Sequence, residues 1–361
     1  MNTMNFAVTE HKDPVTAARR AVLLEDPGFG RVFTDHMVTM RWTVESGWHD
    51  GRVTARAPFS MDPACAVLHY AQEIFEGMKA YRTASGAVAL FRPHMNAARF
   101  ARSAERLAMP PLPEHLFIEA VERLVSLDRQ WIPSGEGSLY LRPFMFASEQ
   151  FLGVRPSREY TFCVIACPVG PYFKNGDKPL KLWVSDSYTR AAPGGTGAAK
   201  CGGNYAASLI AQADAAAHDC DQVVFLDAIE HRWVEELGGM NIFFVMDDGS
   251  IVTPPAGGTI LPGITRATLI ELAKAAGMRL TEAPYSFEQW SADAASGRLR
   301  EAFACGTAAV VAGIGEVRTS KTSFRIGGGT SGPVAKRLKD ELVAIQRGTA
   351  PDPMGWLHIV N

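Results

Sequence analysis

Apolar and polar positions alternate most regularly over 138–146 (SLYLRPFMF). Tyr140, Arg142, Phe144 and Phe146 share one face and Leu139, Leu141 and Met145 the other, the period of a strand. Residues 160–166, 180–184 and 222–227 are strand-like apolar runs, and 31–42 is an extended segment rich in β-formers. Residues 233–245 and 251–253 read as paired strands joined by a turn at Asp247-Asp248-Gly249. Elsewhere the period lengthens to that of a helix. Asn96 is placed to cap a helix through about residue 108, with Ala97, Ala101, Ala104 and Ala108 on one stripe. A second helix spans 114–131 through Ile118, Val121 and Val125. A third starts near Asn204, with Tyr205, Leu209, Ala213 and Ala216 along one face. Further helices cover about 264–276 and 334–346.

The stretch 168–179 (PVGPYFKNGDKP) breaks every period, and its prolines and glycines mark it as a linker. It divides the chain into a smaller N-terminal domain (1–167) and a larger C-terminal domain (180–361). A length of 361 residues suits two cores. Strands and helices mix without strict βαβ alternation, so the expected class is α+β, two mixed α/β domains, rather than a doubly wound sheet.

With 47% apolar and 20% charged residues the chain reads as globular, and its formal net charge of −2 provides no field to recruit nucleic acid or an anionic membrane. There is no signal-peptide core, no apolar run long enough to span a bilayer and no lipidation motif. Six cysteines without a C-x-x-C pair point to reduced thiols in the cytoplasm. Nine scattered histidines with no H-x-x-x-H pair give no reason to expect a metal. Two glycine clusters are read as turns: Pro333 stands where a phosphate-binding P-loop after Gly327–Gly332 needs its lysine, and Gly313-Ile314-Gly315 lacks the third glycine of a dinucleotide fingerprint.

Lys200 lies in GGTGAAKCGGNYAAS, just before a helix start. A loop lysine is ordinarily a solvated charge, but small residues on both sides allow the close ligand approach a Schiff-base lysine needs. Tyr205 is either a core aromatic or a donor to a ring oxygen. Glu235 and Glu236 point to opposite strand faces, so one can meet solvent while the other meets a site. A carboxylate there would keep a pyridine nitrogen protonated; two solvated acids are the alternative. In Gly258–Arg266 the backbone amides of Ile264 and Thr265 open a helix, which is either an ordinary start or a phosphate cradle. Thr307, in Cys305-Gly306-Thr307-Ala308, adds a weaker phosphate donor. The face of Tyr140 and Arg142 suits an apolar pocket that also accepts a carboxylate, or else a domain or subunit contact.

Together these segments resemble the branched-chain aminotransferases, a family of the class-IV, fold-type IV pyridoxal-phosphate enzymes. The family's E-x-G-x-x-N-I-F, threonine and L-P-G-I-x-R pattern stands here at Glu236–Phe243, Thr253 and Leu261–Arg266. FGRVFTDHM (29–37), LHYAQEIFEGMKAY (68–81), LFRPHMNAARF (90–100), SLYLRP, CPVGPYF (167–173) and KCGGNY (200–205) carry the narrower likeness, which runs from about residue 25 onward. The resemblance implies a D-amino-acid-aminotransferase-like architecture with a larger C-terminal domain that binds pyridoxal 5'-phosphate. It implies Lys200 as the aldimine lysine, Tyr205 as partner of the phenolic oxygen and Glu236, not Glu235, on the pyridine nitrogen. Arg99, Ile264, Thr265 and Thr307 match the phosphate cup. Phe29, Tyr70, Phe75, Tyr140, Arg142, Tyr172, Gly239 and Ala308 match substrate-pocket positions. In this family the site lies between the domains and is shared across a homodimer, with Tyr70 serving the neighbouring subunit. Human-type relatives carry threonine at the Gly239 position and a redox C-x-x-C at the positions of Ala309 and Ala312, so no thiol switch is expected here.

The reaction so implied is reversible amino transfer between leucine, isoleucine or valine and 2-oxoglutarate, with glutamate as the other product. A D-amino-acid aminotransferase or an aminodeoxychorismate lyase would use the same lysine and glutamate, but the segments around Tyr70, Tyr140 and Arg142 argue against both. A nucleotide-binding oxidoreductase would need a glycine loop that neither cluster provides.

Overall fold

In a computed structural model that describes residues 5–170 and 178–361, the chain divides into two units. The first comprises Met1–Tyr172, Ala199–Gly202 and Ala344–Asn361; the second comprises Phe173–Ala198 and Gly203–Val343. Each contains a nine-stranded sheet with helices, an α+β arrangement.

In the first unit the strands run across the sheet in the order Ala7–Val8, Gly47–Ala55, His36–Thr43, Glu159–Val169, Ser138–Ala147, Met78–Arg82, Val88–Phe91 and Leu357–Val360. Glu73–Phe75 pairs beside Ser138–Ala147. Except for the first pair, neighbours are antiparallel. The alternation over 138–146 is realised: Leu139, Leu141 and Met145 are fully buried, whereas Arg142 and Phe144 on the other face are half-buried. Two helices, Pro93–Arg106 and Glu114–Leu127, supply Ala97, Phe100, Ala104, Phe117, Val121 and Leu124 to that core. Truncating Phe100 or Phe117 to alanine there would cost about 3–5 kcal/mol.

Asn96 is not a cap. The helix starts at Pro93, whose fixed φ suits a first helical position, behind Arg92 in the left-handed region at φ 49°. Asn96 is a buried residue of the helix interior. The segment expected from 31 begins its strand at His36, and the helix expected through 131 ends at Leu127 before a short turn, Arg129–Trp131.

In the second unit the order is Val234–Leu237, Gln222–Leu226, Leu180–Val184, Val310–Arg318, Leu299–Gly306, Asn241–Met246, Ile251–Thr253 and Leu280–Glu282, with Ser323–Arg325 on Val310–Arg318. The parallel pair Leu180–Val184 and Gln222–Leu226 needs a long crossover, and helix Gly202–Ala217 lies in it. Helix Ile264–Ala275 does the same for Ile251–Thr253 and Leu280–Glu282. The expected hairpin forms, with Gly249 at φ 76° in its turn. The run 233–245 is broken into two strands at Gly238-Gly239.

Two expectations fail here for steric reasons. Helix Gly202–Ala217 buries Asn204, Ser208, Ala211 and Ala215, small side chains that let it lie close to Trp183, Val223 and Phe225, so Leu209 and Ile210 face outward. Gly313 and Gly315 are not a turn. They lie within strand Val310–Arg318, where a Cβ would collide with Ser331 and with the Gly329 backbone respectively. No helix among the described residues is long and apolar enough to cross a membrane, and no group of His, Cys, Asp and Glu among them could hold a metal. All six cysteines are free and buried.

Candidate active site

The first unit holds Lys200 by its backbone. Its N–H donates to Ser103 Oγ at 3.0 Å, its carbonyl accepts from Phe75 N–H at 2.9 Å, and Gly202 N–H donates to the Glu73 carboxylate. A Cβ at position 202 would fall on that carboxylate, which explains the glycine. Ala199 and Cys201 anchor the segment in the core on either side. The Lys200 ammonium position is 4.5 Å from the centroid of the Phe75 ring. Burial lowers the Lys200 pKa to about 8; the Arg99 charge adds to the shift and the Glu76 carboxylate opposes it.

Arg99 is nearly buried against Glu76, which is fully buried. Its Nε and Nη2 donate to the two carboxylate oxygens at 2.7 and 2.9 Å. Asn96 Nδ2 donates to the same carboxylate at 2.7 Å and Gly77 N–H at 3.1 Å. Burial pushes the Glu76 pKa up, but the Arg99 charge and its hydrogen bonds outweigh it and hold the group ionised below its ordinary value. Ser103 Oγ also donates to the Arg99 carbonyl at 2.9 Å, tying that helical turn to Lys200.

Beside this cluster Arg142 donates to the Tyr140 hydroxyl at 3.0 Å and lies over the Phe75 ring, 4.8 Å from its centroid. Phe29 meets Tyr140 edge-on at 5.0 Å. Gly77 makes room for the Tyr140 hydroxyl, which a Cβ would overlap. Arg142 Nε is buried with no partner among the described residues. Tyr70 is exposed and donates to the Leu152 carbonyl; Leu68, Leu152 and Val154 are exposed as well. Tyr172 is outside the described residues.

In the second unit Glu236 is 2% exposed; its carboxylate accepts from Leu261 N–H and from Arg190, each at 2.8 Å. Arg190, also buried, donates further to the Thr259 carbonyl at 2.9 Å and the Gly197 carbonyl at 3.3 Å. Neither acid of the pair faces solvent: Glu235 is 7% exposed and accepts from Thr259 Oγ1 at 2.5 Å. Burial raises its pKa. Tertiary packing, which strand alternation alone does not reveal, covers both faces of this strand. Arg190 escapes sequence reasoning because nothing local to YTRAAP marks it; its partners lie at 236 and 259.

The motif residues Asn241, Thr253 and Arg266 brace the loop that leads to Ile264. Asn241 donates to the Leu261 carbonyl at 3.1 Å, Thr253 to the Ile242 carbonyl at 2.7 Å and Arg266 to the Pro254 carbonyl at 2.7 Å. Helix Ile264–Ala275 then opens with no side-chain cap, leaving Ile264 and Thr265 in a first turn whose dipole favours an anion. Thr307 and Ala308 are half-buried in the turn after strand Leu299–Gly306. A Cβ at Gly306 would come within 3.5 Å of the Gly239 carbonyl, so the two turns are adjacent. Tyr205, in the first turn of its helix, is the side chain nearest Gly239.

The family described as Amino-transferase class IV matches residues 73–317. A probable branched-chain-amino-acid aminotransferase of Streptomyces coelicolor is 54% identical over 360 residues, covering 99% of both chains. Among solved structures, the branched-chain amino acid aminotransferase of Escherichia coli superposes with a TM-score of 0.76 at 28% identity, over 91% of this chain and 99% of that one. The branched-chain aminotransferase of Thermoproteus uzoniensis, solved with norvaline, gives 0.73 at 26% identity, over 90% and 100%.

Proposed function

We propose a function from the premise that this chain belongs to the class-IV aminotransferases: it exchanges the amino group between branched-chain L-amino acids and 2-oxoglutarate. The observation that carries the reading is Lys200, an amine with pKa about 8 fixed through its backbone and facing an aromatic ring.

The donor set fits pyridoxal 5'-phosphate, which needs an amine for its aldehyde, a carboxylate for its ring nitrogen and donors for its phosphate. We assign Lys200 to the first task and Glu236 to the second. Arg99, Ile264, Thr265 and Thr307 take the third, and Tyr205 the phenolic oxygen. When bound, the cofactor supplies an electron sink for the bond broken at the substrate α-carbon. Lys200 takes and returns the proton at that carbon, a task suited to an amine that is partly neutral near pH 8. Phe29, Phe75 and Tyr140, near one another in the first unit, are assigned to apolar contact with a branched side chain, and the family resemblance assigns Tyr172, Gly239 and Ala308 to the same task. Each buried methylene contributes about 0.8 kcal/mol, so leucine, isoleucine and valine should differ modestly. Arg142, with its unpaired Nε–H, and Tyr140 receive the second carboxylate of glutamate. The exposed Leu68, Tyr70, Leu152 and Val154 favour a second copy of this chain as partner, with Tyr70 serving that copy's site. Six free thiols fit a reducing cytoplasm.

The test is an absorption spectrum of the protein loaded with pyridoxal 5'-phosphate, before and after L-leucine without an oxo acid. The visible band should disappear. A band indifferent to L-leucine but consumed by D-alanine would overturn the branched-chain L-amino acid reading.

A further inference from the structure

Glu76 has no part in the roles assigned above, yet it is the most enclosed charge beside Lys200. It is fully buried, and four donors converge on it: Nε and Nη2 of Arg99, Nδ2 of Asn96 and the N–H of Gly77. A paired fork of this kind fixes the plane of a guanidinium as well as its position. Phe75, the preceding residue, holds the Lys200 carbonyl and places its ring under the Lys200 amine. Gly77, the following residue, leaves space for the Tyr140 hydroxyl. One tripeptide thus reaches the lysine, the arginine and the tyrosine. Lys200 and Arg99 are both cationic when protonated, and Glu76 is the carboxylate whose charge acts on both.

We propose that Glu76 is a positioning residue for the cofactor's phosphate end: it fixes the Arg99 guanidinium in the orientation that receives a phosphate monoester and balances its charge beside Lys200. This rests on the reading in which Arg99 takes the phosphate. Without the carboxylate, Arg99 would lose the paired bonds that fix its guanidinium plane, and its charge would face Lys200 without that anion to balance it. The effect should therefore depend on the phosphate of the ligand and not on its ring.

The experiment titrates cofactor-stripped protein with pyridoxal 5'-phosphate and, separately, with pyridoxal, following absorbance. Glu76→Gln should weaken pyridoxal 5'-phosphate binding by about tenfold or more and pyridoxal binding by less than about twofold. Equal weakening of both ligands, or of neither, overturns the proposal. If circular dichroism shows that Glu76→Gln does not fold, Asn96→Ala decides by the same ratio. It removes one bond to the carboxylate without leaving a buried cation unpaired, and the expected ratio is about threefold; an unchanged ratio again overturns the proposal. Wild-type protein that takes up no pyridoxal 5'-phosphate would instead remove the functional reading on which this inference stands.

Discussion

In the first unit the buried arginine–glutamate pair is Arg99 with Glu76; in the second it is Arg190 with Glu236. The two are built alike, each with a nearly or fully buried partner on both sides and further bonds to backbone or amide groups. Their polarity of use is opposite. Beside Lys200 the arginine is the group assigned to the ligand and the glutamate holds it; at the other pair the glutamate is assigned to the ligand and the arginine holds it. The surroundings follow the same inversion. Arg99 and Arg142 both disfavour the charged form of Lys200, whereas Glu235 stands next to Glu236 with Arg190 as the nearby cation. A buried charge is strongly destabilising when its partner is lost, and each charge assigned to the ligand has a buried partner of opposite sign beside it.

The sharpest way to separate functional from bracing residues is Lys200→Ala. Turnover of L-leucine with 2-oxoglutarate should fall about a thousandfold or more. The fold should stay intact by circular dichroism, because the bonds that hold this segment come from its backbone. Substantial remaining transamination would mean that the lysine was wrongly assigned. At the second pair, Arg190→Met leaves Glu236 buried without its cation and should cost about 3–5 kcal/mol in denaturant unfolding. Glu236→Gln keeps an amide oxygen that still accepts from Arg190 and Leu261 N–H, so it should lose less stability while slowing turnover about a hundredfold. Equal stability losses in the two variants would remove the distinction between brace and functional group.

The smallest effect is in pH. The Lys200 pKa lies below its unfolded value, so between about pH 8 and the ordinary lysine range the unfolded chain binds more protons than the folded one. The penalty of burying this lysine is therefore fully present below about pH 8 and is relieved as pH rises. In cofactor-free protein, Lys200→Met should be more stable than wild type at neutral pH, with the gap closing toward pH ~10. A gap that is constant over this range would show that the lysine does not titrate there.

Much of the scaffold is readable from local pattern. Strand Ser138–Ala147 shows its two faces in its alternation, and the glutamate and lysine motifs stand out because small residues and glycines surround them. The class-IV family resemblance is likewise borne out by the family match over 73–317. The failures share a cause. Asn96 is misplaced by local pattern because a cap residue and a buried amide look the same without the tertiary partner Glu76. Helix Gly202–Ala217 comes out rotated because its buried face is made of small residues and its larger apolar ones point outward. Glu76 and Arg190 attract no role from sequence, since the value of a bracing charge lies wholly in a contact far along the chain.

Strand Leu357–Val360 pairs antiparallel with Val88–Phe91, and Trp356 packs on Phe91 and Arg92. This has a consequence for synthesis on the ribosome. The sheet of the N-terminal unit receives this strand only after every residue of the second unit has been translated. Until then Val88–Phe91 is an open edge with unpaired N–H and C=O groups, the kind of edge that invites pairing with another nascent chain. Closing it is a contact across most of the chain's length, which is slow to form. Residues 357–360 therefore act as a late fastening on a sheet whose other strands were made well before them.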